Sequence, residues 1–141
     1  MTPPVAVVDT NVVVAGLLSR DPGSPVGRLL DGMLAGRFAY LLSPDLLREY
    51  RTVLLRPAIV QRHRLAADEV DGLLTELVVN ARWREPAPSA SPAPDPGDAH
   101  LWALLGTAGA VLVTGDHLLL ENPPAGGSVL SARAFLELLE G

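Results

Sequence analysis

Two short apolar runs, each ending close to an aspartate, constrain this chain more than any other feature. Val5-Ala6-Val7-Val8 runs directly into Asp9, and Ala110-Val111-Leu112-Val113 is followed within three residues by Asp116. Neither run alternates apolar with polar residues, so each reads as a strand buried on both faces, as in a parallel sheet covered by helices. In such sheets ligands bind beyond the carboxyl ends of the strands. Asp9 and Asp116 are both expected at that rim, although each alone has a simpler reading, Asp9 as the cap of the next helix and Asp116 as the end of a turn after Gly115.

The intervening sequence alternates helical and extended patterns. A short apolar helix is expected after Asp9, to about residue 18, then a Pro/Gly/Ser loop over 20–25 and a helix over 26–34. Residues 38–42 form a second strand candidate. Ser43-Pro44 supplies an N-cap followed by proline at the first helical position, opening a helix to about Arg56, where Pro57 stops or restarts it. Val70, Leu73, Leu74, Leu77 and Val78 share one helical face within 67–81, and a weak strand is expected at 82–84. Residues 85–97 hold five prolines and read as a loop. A helix over 99–105, the strand at 110–113, a short strand at Val129-Leu130 and a helix capped by Ser131 complete the chain.

Strands alternating with helices imply a three-layer α/β/α sandwich around a parallel sheet of four or five strands. The whole of 1–141 is expected to be one domain, because 141 residues with 48% hydrophobic content suffice for one core and too few residues follow the proline-rich loop for a second. The apolar N-terminal run is interrupted by Asp9 and Asn11 and preceded by no basic residue, which argues against a cleaved signal sequence. No apolar stretch reaches the roughly 18 residues of a membrane span. The absence of cysteine removes disulfides, thiol nucleophiles and thiolate zinc sites, and fits a cytoplasmic protein.

Net charge is −5, so the balance does not favour a generic polyanion surface, yet all 11 cations are arginine. Without lysine the chain has no lysine-bearing phosphate loop, and an aspartate-based phosphotransfer domain, whether receiver or phosphatase, is disfavoured. The phosphatase pattern also wants a second aspartate where Asn11 stands.

Two further acids draw notice. Glu49 lies within the helix expected after Ser43, where a lone glutamate is ordinarily solvated surface, and Asp98 opens a helix, where the dipole favours an acid in any case. Asp95, preceding Pro96, is expected to cap that helix.

Taken in order, Val7-Val8-Asp9-Thr10-Asn11, Leu47-Arg48-Glu49-Tyr50 with Val53-Leu54 and Arg56-Pro57, Asp95-Pro96-Gly97-Asp98, Leu112-Val113-Thr114-Gly115-Asp116 and the Ser131–Leu136 ending resemble the PIN-domain family over nearly the whole chain. The resemblance implies a nuclease acting on RNA, with Asp9, Glu49, Asp98 and Asp116 as its acidic, metal-binding and catalytic quartet and with Asn11 and Thr114 as polar supports. It also implies Mg²⁺ or Mn²⁺ and, in many members, a toxin paired with an antitoxin protein. Many members carry another aspartate soon after the position of Asp116, where His117-Leu118-Leu119-Leu120 follows here. One ion or two therefore stays open. A PIN fold retained as a silent binding module is the non-enzymatic alternative.

The chemistry agrees with the resemblance. Converging carboxylates repel one another unless cations neutralise them. Hard oxygen ligands suit Mg²⁺ or Mn²⁺. Arg20, Arg48 and Arg51 are the expected phosphate contacts by sequence position. His63, His100 and His117 lack ligand spacing and read as surface or packing residues, and Trp83 and Trp102 as core or interface. A mean hydropathy of +0.28 and the face Leu29-Leu30-Met33-Leu34 suggest cover by a homodimer partner or an antitoxin, unless that face is ordinary core.

Overall fold

The computed structural model describes residues 4–85, 96–105, 110–123 and 128–140. Of the proline-rich loop, positions 86–95, with the expected Asp95 cap, lie outside the described residues.

Strand β1 (Val5–Val8) leads through Asp9 into helix α1 (Thr10–Leu18), and after a turn Ser24 caps α2 (Pro25–Leu34) with Pro25 at its start. Strand β2 (Leu41–Leu42) ends at Ser43, whose hydroxyl accepts from the Leu46 amide at 3.2 Å and so caps α3 (Pro44–Leu54). Pro57 restarts the chain as α4 (Pro57–His63), followed by α5 (Ala67–Asn80) and β3 (Arg82–Trp83). A 3₁₀ turn, Pro96–Asp98, opens α6 (Ala99–Leu105), and the chain closes with β4 (Ala110–Val113), α7 (His117–Glu121), β5 (Ser128–Leu130) and α8 (Ala132–Glu140).

All strand pairs are parallel. β4 lies between β1 and β5, with Val5 opposite Ala110 and Val8 opposite Val113, while β2 pairs with β3. The two sets meet at a parallel bridge between Ala6 and Tyr40, where the Ala6 amide donates to the Ala39 carbonyl at 2.9 Å. The strands thus follow the order β3-β2-β1-β4-β5 in a parallel α/β sandwich. Because Val8 and Val113 are level, the chain leaves β1 and β4 at the same rim. The Asp9 amide still donates to Val113 at 2.9 Å and the Thr114 amide to Leu130 at 3.0 Å.

The central strands are buried on both faces, which explains their unbroken apolar sequence: Ala6, Val7, Val8, Leu112 and Val113 have no exposed surface. Helix α1 is held tightly against α2 through Gly16, where a Cβ would meet the Val26 carbonyl oxygen at 2.6 Å. That approach fixes the helix whose first turn stands at the rim. Phe38 and Phe135 meet edge to face at 5.3 Å between the sheet side and α8.

The face offered as a reason for a partner has another explanation. Leu29, Leu30 and Met33 are buried within the chain's own core, against which Leu34 packs, so this face gives no ground for a homodimer or an antitoxin. Trp102 is core, as expected, whereas Trp83 on β3 is 49% exposed. Among the described residues, no helix is long and apolar enough to cross a membrane.

Candidate active site

Asp9 is where strand, helix and site meet. As N-cap of α1 it accepts from the Thr10 amide at 2.8 Å through Oδ1, and its Oδ2 accepts from the Thr114 hydroxyl at 2.8 Å and from Nδ2 of Asn11 at 3.3 Å. The residue is only 6% exposed. Burial pushes its pKa above the ordinary carboxylate value of 3.8; the bonds from Thr114 and Thr10 pull against that rise, and the charges of Glu49 and Asp116 add to it.

Thr114, wholly buried at the end of β4, ties this acid to the next. Its hydroxyl accepts from the Asp116 amide at 3.0 Å while donating to Asp9. Asn11 spans the same gap, its Oδ1 accepting from the Gly115 amide at 3.1 Å. Asp116 in turn caps α7, its Oδ1 accepting from the Leu118 amide at 2.9 Å. The ends of β1 and β4 are thereby laced together by side chains where the ladder of backbone bonds stops.

Glu49 comes from α3, which is anchored at the same rim by its neighbour: the fully buried Tyr50 hydroxyl donates to the carbonyl of Val8, immediately before Asp9. Burial, helped by the nearby acids, pushes the Tyr50 ionisation well above its ordinary range, so it stays a neutral donor. Glu49 faces His100 of α6, Nε2 lying 2.8 Å from Oε2. This is a close approach without hydrogen-bond alignment: among the described residues the buried Oε2 of Glu49 has no hydrogen-bond partner, and neither has the buried Nδ1 of His100. Asp98 sits two residues before His100, at the end of the 3₁₀ turn, and is half-buried.

A cleft of about 590 Å³ is lined by Asp9, Glu49, Asp98 and Asp116 together with Asn11. The acids come from the end of β1, the middle of α3, the turn before α6 and the end of β4. They share the cleft, yet among the described residues no three acidic or histidine side chains are close enough together to hold one ion jointly.

A family model described as PIN domain matches residues 5–118, a span that includes all four acids. The chain belongs to the PIN-domain family. PIN domains are typically metal-dependent nucleases, and they generally bind divalent cations such as Mg²⁺. The solved PIN domain of T. brucei RRP44 is similar to this one at 16% sequence identity, with 96% of this chain and 80% of that chain covered and a TM-score of 0.49. No curated protein matches.

The arginines of this PIN domain divide between the cleft, the groove beside it and the outer surface. Arg51 pairs with Asp71 at 2.8 and 3.4 Å and Arg48 with Asp45 at 3.1 Å, all on exposed surface. Neither they nor Arg20 line the cleft; Arg56 and Arg62 do. Val53, four residues after Glu49, shares its helical face, whereas Arg56 lies beyond the end of α3 in extended backbone and is brought to the cleft where Pro57 restarts the helix, so Pro57 was the usable signal in the sequence. The histidines also divide. His63 is a packing residue, its Nε2 2.8 Å from the Leu54 carbonyl and its Nδ1 accepting from the Leu65 amide at 2.9 Å, and His117 is exposed. His100 is neither surface nor plain packing, because it meets the candidate ligand Glu49 from the groove beside the cleft.

Proposed function

We propose that the chain, acting as one nuclease domain, is a divalent-metal-dependent ribonuclease that hydrolyses RNA phosphodiester bonds in the acidic cleft. The observation that carries this reading is the convergence of Asp9, Glu49, Asp98 and Asp116, from four separate chain segments, on one cleft.

The residues present fit Mg²⁺ or Mn²⁺. The donors are all carboxylate oxygens, and a buried Asp9 whose charge is further disfavoured by Glu49 and Asp116 is one that a divalent cation would stabilise in its ionised form. The absence of a three-ligand cluster among the described residues is compatible with Mg²⁺, which keeps several waters and uses one or two carboxylates directly. Asp9 and Asp116 would hold the ion, with Glu49 and Asp98 acting directly or through water. When bound, the ion supplies an activated water and charge stabilisation for in-line displacement at phosphorus.

The chain's own contribution is positional. Thr114 and Asn11 hold Oδ2 of Asp9 and fix its distance from the Asp116 backbone. Tyr50 holds α3, and with it Glu49, against the strand end. A toxin role and an antitoxin partner stay with the family resemblance, since the helix face that suggested a partner is core.

Labelled single-stranded RNA incubated with the purified protein tests the proposal. Cleavage is expected with Mg²⁺ or Mn²⁺ and not in chelator, and Asp9→Asn or Asp116→Asn should abolish it while circular dichroism shows the fold retained. Cleavage that persists in excess chelator, or in both variants, overturns the metal mechanism. A folded protein that binds Mn²⁺ and cleaves nothing supports the silent binding module.

A further inference from the structure

We propose that Arg56 and Arg62 are the phosphate-gripping residues of the cleft, and that Arg56 carries a single-stranded RNA from the acidic cleft into a second groove beside it. The proposal deepens the nuclease reading and rests on it. A groove of about 400 Å³ adjoins the cleft and shares Glu49, Val53 and Arg56 with it. Arg48, Thr52 and His100 continue the second groove beyond those shared residues. The shared residues make the two depressions one path, with Asp9, Asp98 and Asp116 along one part, Glu49 and Arg56 at the junction and the Arg48–Asp45 pair along the other.

Charge explains why the path needs these arginines. Four carboxylates repel a polyanion, and a bound divalent ion offsets that repulsion only at the phosphate it touches, so the flanking phosphates need protein cations. Arg28, Arg48 and Arg51 are each paired with a carboxylate, whereas Arg56 and Arg62 line a cleft containing four acids and, among the described residues, form an ion pair with none of them. Both are exposed at the ends of α4, which Pro57 starts anew and which packs on α1 across the cleft. Guanidinium groups held this way suit bidentate contact with phosphate oxygens. Val14, Ala15 and Leu18 give the cleft an aliphatic wall, and among the described residues no Phe, Tyr or Trp lines either groove, the one ring there being that of His100, which lies against Glu49. Bases would therefore meet shape and apolar contact rather than a stacking platform, which favours backbone recognition. Two adjoining depressions of about 590 and 400 Å³ offer room for a short stretch of one strand, whereas a duplex presents the phosphates of two strands on a convex surface.

Fluorescence anisotropy tests this in the Asp116→Asn background, where binding is read without cleavage. Parent background, Arg56→Gln, Arg62→Gln and, as control, Arg51→Gln are titrated with labelled single-stranded RNA at several salt concentrations. Loss of one phosphate contact should weaken binding about tenfold at low salt and reduce the salt slope by about 0.7 for Arg56→Gln and Arg62→Gln. Arg51→Gln should stay near the background value, and Mn²⁺ affinity should be unchanged throughout. An Arg56→Gln protein that binds with the background affinity and salt slope overturns the proposal, as does equal binding of duplex and single strand. The outcomes separate from the nuclease reading: arginine-dependent binding by a parent that never cleaves supports the path and removes the enzyme, and cleavage undiminished in Arg56→Gln does the reverse.

Discussion

Thr114→Val removes one oxygen atom and nearly no volume, and it strikes the bond on which the site's geometry turns. The hydroxyl donates to Oδ2 of Asp9 at 2.8 Å and accepts from the Asp116 amide at 3.0 Å in a wholly buried position. A bond to a charged group contributes about 1.5–3 kcal/mol, and the amide left without its acceptor adds about 1 kcal/mol, so the expected cost is about 2.5–4 kcal/mol at neutral pH. The cost depends on pH. Asp9's folded pKa lies above its unfolded value, chiefly through burial, so its ionisation opposes folding: stability is greatest below the unfolded value near 3.8 and is lost as pH rises through the folded pKa. The Thr114 bond is one of the contributions that restrain this loss, and without it the folded pKa climbs further. The gap between parent and variant in chelator-treated urea denaturation should therefore be wide at pH 7 and narrow as the solution is acidified toward pH about 4. Thr114→Ser should restore the pH dependence and lose only about 0.8 kcal/mol for the missing methyl. A gap that is the same at every pH, or a Thr114→Val protein as stable as the parent at pH 7, refutes the reasoning.

The same sign governs Asp9→Asn, whose stability relative to the metal-free parent should rise as pH increases from about 4 to 7, because only the parent develops the buried charge. Mn²⁺ at about a hundred times its dissociation constant should stabilise the parent by about 2.7 kcal/mol and the variant much less; equal shifts in melting temperature place the metal elsewhere. His100→Ala should weaken Mn²⁺ binding about tenfold by freeing Glu49, with partial recovery in His100→Gln; calorimetry showing unchanged affinity refutes a positioning role. Tyr50→Phe leaves the Val8 carbonyl without its hydroxyl donor and should cost about 1–3 kcal/mol; a melting temperature equal to the parent's would show that α3 is anchored by packing alone.

Legibility in the sequence followed the physics of each element. The strands at 5–8 and 110–113 were readable because burial on both faces erases alternation, and α3 because Ser43-Pro44 is a cap and a start in consecutive residues. Helix α7 is only five residues long, too short for periodicity to register, and Asp116 before it read as the end of a turn. The expectation of a helix to Arg56 resolved into α3 and a restarted α4, and that break brings Arg56 and Arg62 to the cleft. His100 was unreadable because its partner, Glu49, is 51 residues away and on another helix, so no local spacing announces the pair. Arg48 and Arg51 were favoured by nearness along the chain to Glu49, but a helix separates neighbours in sequence onto different faces.

The choice between a structural and a ligating role, which the sequence left open for Asp9 as a cap and for Asp116 as the end of a turn, dissolves at the level of atoms. Each carboxylate caps its helix through Oδ1, accepting from Thr10 and Leu118 respectively, and a carboxylate has a second oxygen. In Asp9 that oxygen is oriented by Thr114 and Asn11; in Asp116 it has no protein partner among the described residues. Capping therefore does not compete with ligation but aims it, since a side chain fixed by one oxygen to the first turn of a helix holds its other oxygen at a set height above the strand ends. The parallel sheet sets β1 and β4 level, each following helix takes an acid as its cap, and two carboxylates come to the same rim, Asp9 at the cost of burying its charge. Glu49 and Asp98 have no cap role of this kind, the one lying mid-helix and the other at the end of a 3₁₀ turn. Asparagine serves as a cap as well as aspartate does, so an Asp→Asn change at the strand ends removes the charge and spares the helix start, whereas Asp→Ala removes both and confounds folding with chemistry.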